Sequence, residues 1–231
     1  MSTMTETLVA TDVETTGLSP NDGHLLLEVA VHLVSPKAPF EIIEPEGFHA
    51  VIQHDPESAR ALADDYVKDM HDKTGLWDRL ADGTPLDEVD EQLLAHLQSH
   101  LGKREGRVFG NSIRLDMNFL DAYLPKSAGY LHYRFLDASG LAWFAHENFG
   151  VPYYEKRRTH TAEEDIQESL GELRHVTGSL ARRFTRPELE SIVADAVKEY
   201  IKVAEDPEYG GDAGDFVVNA ILREQSKGRV S

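Results

Sequence analysis

The chain has 231 residues, 41% hydrophobic and 28% charged, which gives room for one sizeable domain or two small ones of ordinary globular composition. It contains no cysteine, which excludes disulfides, thiolate metal sites and a cysteine nucleophile, and it has no apolar run of about 18 residues, which argues against a membrane span. The net charge of −18 argues against a protein that grips long nucleic acid, because such binding neutralises many phosphates with Lys and Arg; it is compatible with a nuclease whose own carboxylates hold cations and whose substrate is short.

The first residues lack the basic and apolar regions of a signal peptide, and with cysteine absent a cytoplasmic location is expected. Residues 8–14 (LVATDVE) read as a strand, followed by turn formers at 15–23. Residues 24–34 (HLLLEVAVHLV) read as a second strand paired to the first, and 48–53 as a third. Thr84 is expected to cap a helix whose first residue is Pro85, with Leu86, Val89, Leu93, Leu94, Leu97 and Leu101 along its buried face. Residues 107–110 read as a strand entering Asn111-Ser112, with a helix after it ending near Pro125. Residues 133–136 are expected to form another strand and 139–148 another helix; 160–176 should be helical after its first residues. An initial hairpin followed by alternating strands and helices predicts an α/β fold, a mixed central sheet flanked by helices. From Pro187 the pattern changes to an amphipathic helix (189–201), a Gly- and Asp-rich linker (206–215) and a short apolar segment (216–222). The expected division is 1–177 as the main domain and 178–231 as a C-terminal helical extension and tail.

Asp12 and Glu14 stand two apart on a strand, so their side chains share a face among apolar neighbours. Two acids so placed either lie solvated on an exposed edge or hold a cation between them, and hard divalent cations prefer carboxylate oxygens. Asp116 falls in a helix just after a strand end, where α/β sheets commonly carry their sites. His160 and Asp165 are five apart and do not share a helix face. Asp165 is expected in the first turns of the helix, with His160 at or before its start.

In order and spacing these residues resemble the DEDDh 3′→5′ exonucleases of the RNase H-like, DnaQ-type superfamily: Asp12-Val13-Glu14-Thr15-Thr16-Gly17-Leu18, then Asn111-Ser112-Ile113-Arg114-Leu115-Asp116, then His160 with Asp165. The resemblance is greatest to the oligoribonuclease family, through His132-Tyr133-Arg134-Phe135-Leu136-Asp137-Ala138-Ser139, Leu26-Leu27-Glu28-Val29-Ala30, and Glu168, Ser169 and Glu172-Leu173, over about residues 7–177. That resemblance implies an RNase H-like exonuclease fold and hydrolysis of RNA fragments of a few nucleotides, chiefly dinucleotides, from the 3′ end. It implies two divalent ions, Mg²⁺ or Mn²⁺, held by Asp12, Glu14, Asp116 and Asp165, with His160 as general base. It further implies Leu18 as a wedge against the bases, Tyr66 stacking on a base, His71 near the substrate, and Ser112, Arg134 and Ser139 as a cap on the 5′ phosphate. A homodimer follows from the same resemblance, since the segment around His132-Tyr133-Arg134 would come from the neighbouring subunit. Two positions depart from the family pattern: Tyr66 stands for the usual Trp, and Gly140 for a Thr after Ser139. The competing readings are a trimming or proofreading exonuclease of the same superfamily acting on longer DNA or RNA, and a catalytically silent RNase H-like binding module.

Overall fold

The computed structural model describes residues 7–156 and 161–183. The first compact unit runs to Val176; of the second, residues 177–231, only the last turns of one helix, through Arg183, are described. The expected helix at 189–201, the linker and the apolar tail segment lie outside the described residues.

Strand β1 (Thr7–Thr15) is central in a five-stranded sheet of order β3-β2-β1-β4-β5. It pairs antiparallel with β2 (Leu26–Val34), which pairs antiparallel with β3 (Phe48–Val51). On its other side β1 pairs parallel with β4 (Gly106–Gly110), and β4 parallel with β5 (Leu136–Asp137). This is the mixed sheet that a hairpin followed by crossover helices produces. β1 and β2 are buried almost throughout because helices cover both faces, so neither strand shows a polar, solvent-facing side.

Three short helices follow β3: α1 (Pro56–Ala61), α2 (Asp65–Thr74) and α3 (Leu76–Arg79). Asp55 and Asp64 cap the first two through the backbone N–H of Ser58 and Val67, each at 2.9 Å. Ala59, Ala63, Leu76, Trp77 and Leu80 pack these helices against Leu27 of β2. The long helix α4 (Leu86–His100) and helix α5 (Arg114–Tyr123) cover one sheet face, where Val9, Val13, Val29 and Val31 meet Leu93, Leu97, Phe119 and Leu120. After the short α6 (Pro125–Ala128) come α7 (Ala138–Phe149) and α8 (Ala162–Arg183). Ile166, Leu170 and Leu173 of α8 cover the opposite face, over Leu8, Ala10, Ala30 and Phe109. No helix among the described residues is long and apolar enough to cross a membrane.

Two local expectations are corrected. Thr84 does not cap α4: its N–H donates to the Val51 carbonyl at 2.8 Å and it bridges Ile52, so it extends the sheet edge and the helix begins at Leu86. The strand expected at 133–136 is reduced to Leu136–Asp137, because β4 offers partners only at Phe109 and Gly110. Tyr133, Arg134 and Phe135 are consequently exposed, outside the sheet.

Candidate active site

Period-two geometry places Leu8, Ala10, Asp12 and Glu14 on the same face of β1. The first two enter the core beneath α8, and the last two continue that row towards the end of the strand. Helix α8 brings Asp165 to them from its first turn, where the Asp165 N–H bonds to the Thr161 carbonyl at 2.9 Å and Thr161 Oγ1 donates to Glu164 at 3.0 Å. One carboxylate oxygen each from Asp12, Glu14 and Asp165 lies within 4.8 Å of the others. Among the described residues this is the one such set of three acids, histidines or cysteines, and it could hold a metal ion.

Asp116 is not in that set. It lies buried in the first turn of α5 and accepts the Val13 N–H at 3.1 Å, so it is pinned to β1 between Asp12 and Glu14. Its charge is nonetheless felt by both. His160 lies outside the described residues.

Burial and mutual repulsion both act on the acids of the cluster. Burial, then the charges of Asp116, Glu14, Asp165 and Glu28, push the Asp12 carboxyl well above the usual carboxylate range. Burial and then Asp165, Glu28 and Asp116 push Glu14 up to about 9, against the pull of Arg79. Burial pushes Asp116 up to about 8, although the backbone N–H groups of Asp116 and Val13 draw it down. An all-oxygen set of this kind suits hard divalent cations, which would let the acids ionise together.

The surrounding loops are fastened to the same point. Asn111, just past β4, donates to Ser169 of α8 at 2.6 Å and accepts from Ser139 Oγ at 3.0 Å. Ser139 Oγ in turn accepts the Ser112 N–H at 3.1 Å, and Ser112 holds a left-handed φ of 51°. Asp137 caps α7 through Gly140 N–H at 2.9 Å and accepts the Ile113 N–H at 3.1 Å with its other oxygen. These bonds unite Ser112 and Ser139 in one patch and set α5, hence Asp116, against the strand ends. Arg134 is exposed, its guanidinium 5.3 Å from the Tyr133 ring centroid.

A cleft of about 280 Å³ opens over the acids, lined by Asp12, Tyr66, Asn111, Lys156, Asp165, Glu168 and Ser169. Tyr66 is 68% exposed and Leu18, past the end of β1, 77% exposed, so both present free apolar surface. His71 is fully buried: its Nε2 lies 3.0 Å from the Thr15 carbonyl, its Nδ1 3.9 Å from Glu14, and its ring stands edge-on to Trp77.

Three neighbours were not singled out from the sequence. Arg79 Nη1 donates to Glu28 at 2.8 Å, and His49 Nε2 lies 2.6 Å from the same Glu28 oxygen. Lys156, which lines the cleft, pairs with buried Glu172 at 2.9 Å. The available signal was an acid inside a largely apolar strand, Glu28, which demands a cationic partner without saying which one.

No family model matches the chain. A probable oligoribonuclease of Schizosaccharomyces pombe is 36% identical over 179 residues, spanning 76% of this chain and 69% of that protein. An oligoribonuclease of Azoarcus sp. is 37% identical over 181 residues, spanning 76% of this chain and 95% of that protein. That of Streptomyces coelicolor is 33% identical over 205 residues, spanning 86% and 98%. Among solved structures, E. coli exonuclease I in complex with a 5cy-dA13 oligonucleotide superposes with a TM-score of 0.51 at 14% identity over 83% of this chain, which spans only 43% of that one. Cell-death related nuclease 4 (CRN-4) superposes with a TM-score of 0.54 at 12% identity, over 75% of this chain and 64% of that one. At such identities the likeness is one of fold, and the fold is the RNase H-like exonuclease fold expected from the sequence.

Proposed function

The chain belongs to the oligoribonuclease family, and from that premise we propose that it is a 3′→5′ exoribonuclease that cuts very short RNA, dinucleotides above all, to mononucleotides. The observation that carries this reading is the gathering of Asp12, Glu14 and Asp165 within 4.8 Å, with Asp116 pinned beside them. Acids whose carboxyls are pushed up by burial and then by one another fit a cation-binding role better than a structural one.

In the proposed site Asp12, Glu14, Asp116 and Asp165 hold two divalent ions, Mg²⁺ or Mn²⁺. When bound, such ions turn a water into a strong nucleophile at neutral pH and steady the leaving oxygen of the phosphodiester. His160 takes the proton from the attacking water, a task that suits an imidazole whose ordinary pKa is near neutrality. Leu18 and Tyr66 receive the bases on their exposed apolar surfaces. His71, fully buried, acts from behind by holding the Thr15 carbonyl and flanking Glu14. Ser112 and Ser139, already linked, receive the 5′ phosphate together with Arg134.

Arg134 is assigned to the site of a second copy. The segment that carries it exposes Tyr133 and Phe135, and α7 exposes Trp143 and Phe144; aromatic surface of this kind supports a homodimer. Residues 1–177 are assigned to the exonuclease domain, in keeping with Val176 as the last core side chain of α8, and 178–231 to the extension.

The test is hydrolysis of a 5′-phosphorylated RNA dinucleotide by purified protein with Mg²⁺ or Mn²⁺. Wild type should release mononucleotides and Asp12→Ala should not. A wild-type protein inert with both ions would support the silent binding module instead.

A further inference from the structure

Among the described residues, the buried side-chain atoms without a hydrogen-bond partner include His32 Nδ1, Glu44 Oε2 and His96 Nε2. Two of the three, His32 and Glu44, meet at Gly47, and Glu44 links the third. His32 lies in β2, and Gly47, just ahead of β3, rests its backbone against the imidazole: a Cβ there would fall 2.4 Å from His32 Cε1 and 2.8 Å from Nδ1. The left-handed φ of Gly47, 62°, further restricts the position to glycine. The Gly47 N–H donates to Glu44 Oε1 at 2.6 Å, which leaves Oε2 turned to His96 Nε2 at 3.7 Å. His96, on α4, is tilted against Phe48 at the start of β3.

A separation of 3.7 Å is too long for a hydrogen bond. It is close to the spacing of about 3.3 Å that two ligands take on one tetrahedral ion with bonds near 2.0–2.1 Å. The other ring nitrogen of His32 is already committed, since Nε2 lies 2.8 and 2.9 Å from the two Glu163 oxygens. A carboxylate on one imidazole nitrogen and an unpartnered buried nitrogen on the other is the arrangement that orients a metal-bound histidine. Burial pushes the His96 imidazole below its ordinary value, more than Glu44 draws it up, which leaves a ring lone pair at neutral pH.

We propose that His32, Glu44 and His96 form a second cation site, suited to a transition ion of the Zn²⁺ class. Two imidazoles and one carboxylate select such an ion over Mg²⁺, whereas the all-oxygen cluster at Asp12 does the reverse. The three atoms do not all lie within the 4.8 Å spread of the carboxylate set, so ligation requires Glu44 and His96 to close towards His32, whose ring is held by Glu163 and Gly47. Glu163 stands two residues before Asp165 in the first turn of α8, so an ion on His32 is tied through Glu163 to the helix that carries Asp165.

The experiment is a Zn²⁺ titration by calorimetry of the full chain in saturating Mg²⁺. One Zn²⁺ site that Mg²⁺ does not displace should remain in Asp12→Ala and weaken at least about tenfold in Glu44→Gln and in His96→Ala. Zn²⁺ binding abolished by Asp12→Ala and unchanged in the other two would overturn the proposal, because the ion would then sit on the carboxylates. Should the variants fail to fold, the ring nitrogens of wild-type His32 and His96, followed by NMR, must shift with Zn²⁺ and not with Mg²⁺; rings that ignore Zn²⁺ also overturn it. Neither readout depends on hydrolysis, so the site stands or falls apart from the proposed nuclease activity.

Discussion

Glu14 and Glu28 face each other across the β1–β2 pair, and their carboxyls are driven in opposite directions. Burial and the neighbouring acids push Glu14 up to about 9. Burial also raises Glu28, but hydrogen bonds from His49 and Arg79 outweigh it and hold Glu28 below its ordinary value. The sheet thus presents one acid already paired with Arg79 and His49 beside another whose partner must come from outside.

Arg79→Ala removes a cation from a buried carboxylate and leaves Glu28 with His49 alone. The expected cost is about 2 kcal/mol of folding stability, near the value of a hydrogen bond to a charged group and below that of breaking a fully buried pair, because Arg79 is partly exposed. Urea denaturation of the two proteins checks it.

The metal-free protein should lose stability as pH rises. Glu14 at about 9 and Asp116 at about 8 bind their protons more tightly in the folded protein than in the unfolded chain. The stability this gives is complete below the ordinary carboxylate range, about pH 4, and is lost as pH climbs through about 8 to 9. With a chelator present, the melting temperature should fall between about pH 6 and pH 9, and added Mn²⁺ should raise it more at the upper end. A chelated protein whose melting temperature rises over that interval would contradict this.

Asp12→Asn should separate activity from stability. It replaces a carboxyl that burial, and then its acidic neighbours, raise well above the ordinary range, so the metal-free variant should melt above metal-free wild type near neutral pH. Its hydrolysis should fall by about a thousandfold, as when one element of an electrostatic site is lost. Calorimetry and initial rates on the same preparations test both halves.

Gly110→Ala should break the site mechanically. A Cβ at Gly110 would fall 2.7 Å from the Thr11 carbonyl and 2.7 Å from Ile113, and the first of these is backbone that cannot step aside. The loss of stability should be about 1–3 kcal/mol by overpacking. Activity should fall further than stability explains, because β4 carries the Asn111-Ser112 turn that sets Asp116.

The parts of the fold legible in the sequence were those with a strong period. Residues 8–14 and 24–34 could be read as paired strands from their apolar runs, and strand geometry alone put Asp12 and Glu14 on one face. Helices α1–α3 were not read, because pieces of 6, 10 and 4 residues carry too few turns to show a period. Thr84 was misread because a good capping residue is also a good edge-strand residue, and the register with Ile52 decides between them. The same holds at the site. Asp165 and Asp116 were put forward from the order and spacing that resemble the family, but the depth of His71 and the clamp of Arg79 on Glu28 depend on tertiary contacts over 56 and 51 residues of chain.

A preference for very short RNA separates the proposed activity from that of a trimming exonuclease. It is tested most directly by comparing kcat/KM for a 5′-phosphorylated RNA dinucleotide with that for a single strand of about twenty nucleotides of the same composition, which offers far more phosphates to an acidic protein. The dinucleotide should be turned over much the faster, with the preference reduced in Arg134→Ala. Faster turnover of the long strand would contradict it and place the protein among the trimming exonucleases of the same fold.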